Sequence, residues 1–149
     1  MKTQVLAAFP GTGKTYYASK VEGPAFIMDL DTSDFTQGYD KLGNANNPDF
    51  PANYIQAVKD KIGTTKLLFV SNRPDVINMF IQEDINFILV YPDRSLKDEY
   101  LKRFQQRKSS QSFINLVIDN WDQYISFLEQ HANCKHIVLK SNQYISDVV

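Results

Sequence analysis

The sequence predicts an α/β fold in which a mostly parallel five-stranded sheet carries helices on both faces. Short apolar runs rich in β-branched and aromatic residues alternate with amphipathic stretches along the chain. Parallel strands need crossover connections, and the intervening helices supply them. A length of 149 residues, 43% of them hydrophobic and 22% charged, suits one domain over residues 1–149 with one core.

In chain order the predicted strands are Gln4–Phe9, Ala25–Leu30, Leu67–Val70, Phe87–Tyr91 and His136–Leu139. Each is apolar and ends at polar or turn residues. The predicted helices are Lys14–Lys20, Pro51–Ile62, Pro74–Gln82, Leu96–Lys108 and Ser112–Gln130. In the last, Phe113, Val117, Trp121, Tyr124 and Leu128 recur at helical spacing, which predicts one long amphipathic helix lying on the sheet. One stretch breaks the alternation. Asp31 to Asn53 is rich in Gly, Asn, Asp and Pro, with Asn46-Asn47-Pro48 as a turn signal. An irregular segment of that length inside a compact domain is expected to be a functional loop or a mobile flap.

Composition narrows the function classes. A net charge of -1 offers no global field for a polyanion, so extended nucleic-acid binding is not expected. A single cysteine, Cys134, cannot form an intrachain disulfide, and with only His131 and His136 no zinc-ligand cluster is expected. No apolar run approaches the roughly 18 to 20 residues of a membrane span, so no membrane partner is expected. Gly11 to Thr15 interrupts the amino-terminal apolar stretch before a signal-peptide core forms, and a cytoplasmic location is the expectation. Nothing in the sequence sets an oligomeric state.

Ala8-Phe9-Pro10-Gly11-Thr12-Gly13-Lys14-Thr15 fits the Walker A spacing, with alanine where glycine is commoner in the first position. Side chains at Gly11 and Gly13 would obstruct the tight wrap of backbone N–H groups around phosphates. Lys14 supplies a cation to the outer phosphates, Thr15 a hydroxyl to Mg²⁺, and the following helix its positive amino-terminal end. The setting is the strand, loop and helix that the motif requires. Pro10, Gly11, Thr12, Gly13, Lys14, Thr15 and Tyr16 are therefore the expected nucleotide-binding residues, with ATP and Mg²⁺ as cofactors.

Asp29 and Asp31 stand two apart at the end of the second predicted strand, so in an extended chain they face one side. Ligands gather at the carboxyl ends of parallel strands. Either aspartate could hold Mg²⁺ through water or take a proton from an acceptor hydroxyl; the bland alternative is a turn and helix cap at Asp31-Thr32-Ser33-Asp34. The third strand ends in Ser71 where a Walker B acid would stand. Ser71 can order a metal-bound water, and firm metal anchoring then falls to Thr15, the nucleotide and Asp29. All four arginines, Arg73, Arg94, Arg103 and Arg107, lie between residues 73 and 107. Arg103 and Arg107 are four apart on one predicted helix face and can reach one ligand. The competing view is a solvated face with Asp98–Lys102 and Glu99–Arg103 ion pairs.

On the strength of AFPGTGKT, the strand-end DLD, NPDFPANYI, VSNRP and YPDRSLKDEYLKRFQQR, the chain resembles P-loop kinases of the nucleoside-monophosphate-kinase superfamily, and more narrowly small bacteriophage-encoded nucleotide-kinase-like proteins. The resemblance covers nearly the whole chain. It implies a three-layer P-loop NTPase fold, an acceptor-side flap at about 31–62 and a short helical lid at about 94–110. It also implies ATP-dependent transfer to a nucleotide, such as a (deoxy)nucleoside monophosphate, in the host cytoplasm if phage-encoded. Lys14 and Thr15 match the loop lysine and magnesium ligand, Arg103 and Arg107 the catalytic lid arginines, and Arg73 lies near an acceptor-phosphate arginine. Two features depart from the pattern: the Walker B aspartate is missing and the lid is too short to be a separate domain. The residues also leave room for a kinase of a hydroxyl, on a polynucleotide end or a small molecule, with Asp29 or Asp31 as base. A third class is a nucleotide-binding or ATPase protein that acts through a partner.

Overall fold

The computed structural model describes residues 2–21, 23 and 25–149. Five strands, β1 (Gln4–Ala8), β2 (Ile27–Asp29), β3 (Leu67–Ser71), β4 (Ile88–Pro92) and β5 (Lys135–Leu139), form one sheet in the order β2-β3-β1-β4-β5. Every neighbouring pair is parallel, with Ala8 beside Ser71 on one flank and Val90 on the other. The carboxyl end of the central strand β1 therefore opens between β3 and β4, where an open α/β sheet binds ligands.

Side-chain alternation along β1 splits the core. Val5, Ala7 and Phe9 enter one apolar cluster with Tyr54, Val58, Ile77, Phe80, Tyr100, Phe104, Trp121 and Leu128. Leu6 and Ala8 enter a smaller one with Ile27, Phe69, Leu139 and Ile145. The first face is covered by α3 (Ala52–Lys61), α4 (Pro74–Gln82), α5 (Lys97–Gln106), α6 (Gln111–Asp119) and α7 (Trp121–Glu129). Among the described residues the second is covered by α1 (Lys14–Lys20) and a one-turn 3-10 helix at Ile145–Asp147, with Tyr17, Ala18, Val21 and Val148 packed against it.

The long helix expected over Ser112–Gln130 is two helices. Asn120 ends α6 and begins α7 with φ -107° and ψ 16°, outside the helical basin, and its Nδ2 donates 2.7 Å to Leu116 O. Asparagine competes for backbone bonds in this way. The break lets both helices keep an apolar face on the core: Ile114 and Val117 from the first, Trp121, Ile125 and Leu128 from the second.

Between β2 and α3 the chain is irregular but internally bonded. A four-residue helix α2 (Ser33–Thr36) leads to a turn at 40–44, where Asp40 Oδ1 accepts from Leu42 N and Asn44 N at 2.9 Å each. Tyr39 pairs antiparallel with Ala45, and Asn47 and Asn53 both donate to Phe35 O. The Phe50–Pro51 peptide is cis. The turn reaches across to α6, where a Cβ on Gly43 would lie 2.9 Å from Leu116 Cδ1.

Candidate active site

The loop after β1 owes its shape to two positive-φ glycines, Gly11 at 80° and Gly13 at 89°, a conformation costly for any side chain. Its carbonyls are tied from behind. Phe9 O accepts from the buried Thr12 hydroxyl at 2.8 Å, Ala8 O from Lys14 Nζ at 2.9 Å, Thr12 O from Ile145 N at 2.8 Å and Gly11 O from Arg103 Nη1 at 2.9 Å. Such a loop at the start of α1 has the geometry of an anion cradle.

Two carboxylates come from the end of β2. Thr15 Oγ1 donates 2.7 Å to Asp29 Oδ2, and Asp31 Oδ1 accepts from Ser33 N at 3.1 Å, so Asp31 caps a turn and keeps its second oxygen exposed. Tyr54 fixes this strand end. Its hydroxyl donates to Leu30 O at 2.6 Å and accepts from Ser71 N at 3.1 Å, joining β2 to β3. Burial raises the Tyr54 pKa well above the ordinary phenol value, which keeps that donor proton in place. Burial lowers the Lys14 pKa, while Asp29 and Asp31 pull it upward and Arg107 adds to the lowering.

The two arginines grouped by helical spacing part company. Arg103 is 8% exposed. Beside its bond to Gly11 O it gives Nη2 to Glu99 Oε2 at 3.0 Å and to Gln143 O at 2.9 Å, with the rings of Tyr100 and Tyr144 on its guanidinium at 4.4 and 4.1 Å. Arg107 ends α5 and is exposed, with Nε donating 2.9 Å to Ser109 Oγ. Its two terminal nitrogens have no hydrogen-bond partner among the described residues. Partial desolvation lowers its pKa, and the Asp31 charge opposes that lowering.

The other expected site residues are placed as follows. Ser71 Oγ accepts from Arg73 N at 3.2 Å beside Ala8, and it is Asp29, not Ser71, that touches Thr15. Arg73 grips Asp75 through Nε and Nη2 at 3.1 Å each, gives Nη2 to Gly43 O at 3.1 Å, and lies against Tyr39 and Phe50. Pro10 is half-buried, and Tyr16 is 66% exposed on α1. Arg94 turns away to α7, bonding Asp122, Ser126 and Glu129. Sequence reasoning missed Glu99's wider part, Gln143, Tyr144, Ile145 and Tyr54. The strand-end rule alone marks the turn after β5 as part of the ligand crevice, whereas nothing local distinguishes Tyr54 from a core aromatic.

No family model matches the chain, and no curated protein matches it in sequence. Among solved structures it is similar to a gluconokinase from Sinorhizobium meliloti 1021, at 12% identity with a TM-score of 0.54, over 99% of this chain and 87% of that one. That likeness shows the fold: a parallel α/β sheet with helices on both faces, shared with a kinase.

Proposed function

We propose that the chain transfers the terminal phosphoryl group of ATP to a hydroxyl of a small molecule. The observation that carries this reading is the convergence of the anion loop, Lys14 and the Thr15–Asp29 contact with a second strand-end carboxylate, Asp31, at one sheet end. The loop N–H groups and Lys14 hold the phosphates, and Asp31 takes the proton as the hydroxyl oxygen attacks the γ-phosphorus and ADP departs. Arg107 offers its uncommitted nitrogens to the charge that spreads over the transferring oxygens. The Thr15 hydroxyl and Asp29 carboxylate make a hard oxygen pair that suits Mg²⁺, which when bound neutralises phosphate charge. Asp29 and Thr15 are the pair to which sequence reasoning assigned firm metal anchoring, with Ser71 expected only to order a metal-bound water.

A (deoxy)nucleoside monophosphate is the second reading, favoured by the free end of Arg107, which could meet an acceptor phosphate. It is the weaker because Arg73, the arginine expected there, is spent on Asp75 and Gly43. The test is a mass-spectrometric screen of ATP·Mg²⁺ with sugar acids including gluconate, other polyols, nucleosides, nucleoside monophosphates and 5′-hydroxyl oligonucleotides. Lys14→Ala, expected to abolish transfer, is the control. Gain of one phosphate on a hydroxyl-only small molecule supports the proposal, and gain on monophosphates alone selects the second reading. ATP binding without transfer to any acceptor would make the chain a nucleotide-binding protein that acts through a partner.

A further inference from the structure

Beyond the residues that meet the nucleotide, a second set holds the loop that does. Three consecutive structural facts locate it. The segment after β5 folds back onto the loop, with Ile145 N on Thr12 O at 2.8 Å and the Tyr144 ring over Gly13, where a Cβ would lie 3.1 Å from Tyr144 Cδ1. The inner face of α5 presses on the loop from the other side, where a Cβ on Gly11 would come 2.9 Å from Phe104 Cε1 and 3.4 Å from Tyr100 Cδ2. Arg103 joins the two sides through Gly11 O and Gln143 O, and Glu99 braces the joint by accepting from Arg103, Asn142 N at 3.1 Å and the Ser141 hydroxyl at 2.6 Å.

We propose that Arg103 and Glu99 are positioning residues for nucleotide binding: they pin the Gly11 carbonyl outward so that the loop's N–H groups face the phosphates. The role rests on the ATP site proposed above. The physical reason is that a peptide unit has its C=O and N–H on opposite edges. Fixing the Gly11 carbonyl toward α5 fixes the following N–H, that of Thr12, toward the other side. Glycine at 11 and 13 leaves these peptides free to rotate, so the orientation needs an external tie. An arginine supplies one in a planar fork that meets several acceptors at once, and Glu99 keeps the fork oriented where it is withdrawn from water. The rings of Tyr100 and Tyr144 lie close against the guanidinium, and the Tyr100 hydroxyl has no partner among the described residues, so its ring is what it contributes. Arg103 in this arrangement does not reach the transferring phosphoryl group. Its effect is on how well the loop is organised before ATP arrives, a gain in affinity through preorganisation.

The test uses the full chain and Arg103→Met, Arg103→Lys and Glu99→Gln, with two independent readouts. The first is equilibrium binding of ATP by calorimetry. Arg103→Met is expected to weaken it by about tenfold to a hundredfold, the scale of a charge-assisted hydrogen bond. Arg103→Lys and Glu99→Gln should fall between it and the parent, with kcat at saturating ATP changed by less than about threefold in both. The second is amide hydrogen exchange, where Ile145 and Tyr17, whose N–H groups bond the loop carbonyls Thr12 O and Gly13 O, are expected to lose protection relative to the β1 and β4 strands. A residue needed only for stability would lower the melting temperature while leaving the affinity of the folded fraction unchanged. Parent-like ATP affinity and loop exchange in Arg103→Lys and Glu99→Gln would overturn the proposal, even if Arg103→Met does not fold. Should the parent itself fail to bind ATP, the proposed function fails, and loop exchange alone still decides whether the tie exists.

Discussion

Arg103 lies in the last turn of α5, buried, with three hydrogen bonds and two aromatic rings close against its guanidinium; Arg107, one turn further, is exposed, gives one bond to Ser109 and lies farther from its two rings, Phe104 at 5.3 Å and Phe113 at 5.7 Å. Both project from the same helical face, as a spacing of four residues requires. What separates them is what closes over that face. Tyr100, Arg103 and Phe104 meet the phosphate loop, Glu99 and Arg103 the turn after β5, and Arg107, which caps the helix, lies beyond these contacts. A guanidinium enclosed by carbonyls and rings has its geometry fixed and serves the fold around the site. One with free nitrogens can follow a charge that appears only during a reaction.

The sharpest way to test that contrast is to remove the free arginine. Arg107→Ala is expected to lower kcat by roughly three orders of magnitude, on the scale of arginines supplied to phosphoryl-transfer sites, with ATP affinity close to the parent's. Arg107→Lys should recover part of the rate because it keeps the charge and loses the fork. Steady-state kinetics on the pair, set beside Arg103→Lys, separates the two turns of the helix: rate for Arg107, affinity for Arg103. A rate loss in Arg103→Lys as large as that in Arg107→Ala would erase the distinction.

A smaller effect is expected from the carboxylates, which divide in the same manner. Asp29 is committed to Thr15, whereas Asp31 has one oxygen on Ser33 N and one exposed. Asparagine at 31 can still accept from Ser33 N, so Asp31→Asn should keep the turn and the melting temperature. Loss of a general base then predicts a fall in kcat of about 100-fold. Asp29→Asn should instead raise the Mg²⁺ concentration needed for half-maximal rate. Equal turnover for Asp31→Asn and the parent on a hydroxyl acceptor would remove Asp31 as base.

The sheet, its five strands and most helices were legible because apolar runs and amphipathic periods are local properties: Lys14–Lys20 and Pro74–Gln82 match their helices end for end. The break at Asn120 was not, since the apolar spacing continues across it and only the side-chain bond to Leu116 O marks the stop. At the site, the loop's residue types could be read from motif spacing, and the Asp29/Asp31 pair from its place at the end of an apolar strand. Partners distant in sequence were not. Arg103 with Gly11 and Gln143, and Tyr54 with Leu30 and Ser71, are tertiary contacts that no periodicity encodes. The segment 31–53 reads as a functional loop or a mobile flap from composition, and its asparagines and aspartates bond its own backbone, the same chemistry that keeps them out of helices.

That segment supplies the mildest prediction and a last use of the contrast between committed and free arginines. Arg73 is committed: a two-point contact with Asp75, a bond to Gly43 O and contact with the Tyr39 and Phe50 rings hold the 39–50 stretch against the start of α4. If this is its work, Arg73→Ala removes a partly buried charged hydrogen bond and two cation–π contacts, for a stability loss of about 1 to 3 kcal/mol. In a domain of this size each kcal/mol lowers the melting temperature by about 2 to 4 °C. Amide exchange should rise across 39–47, and kcat should stay within about tenfold of the parent. Arg73→Lys should behave nearly as badly, since an ammonium cannot span Asp75 and Gly43 together. An arginine that instead binds an acceptor phosphate gives the opposite pattern, an acceptor KM raised by about 100-fold or more with little change in melting temperature. Thermal melts and acceptor KM measured on the same two variants distinguish the outcomes, and the second pattern would return the nucleoside monophosphate to first place among acceptors.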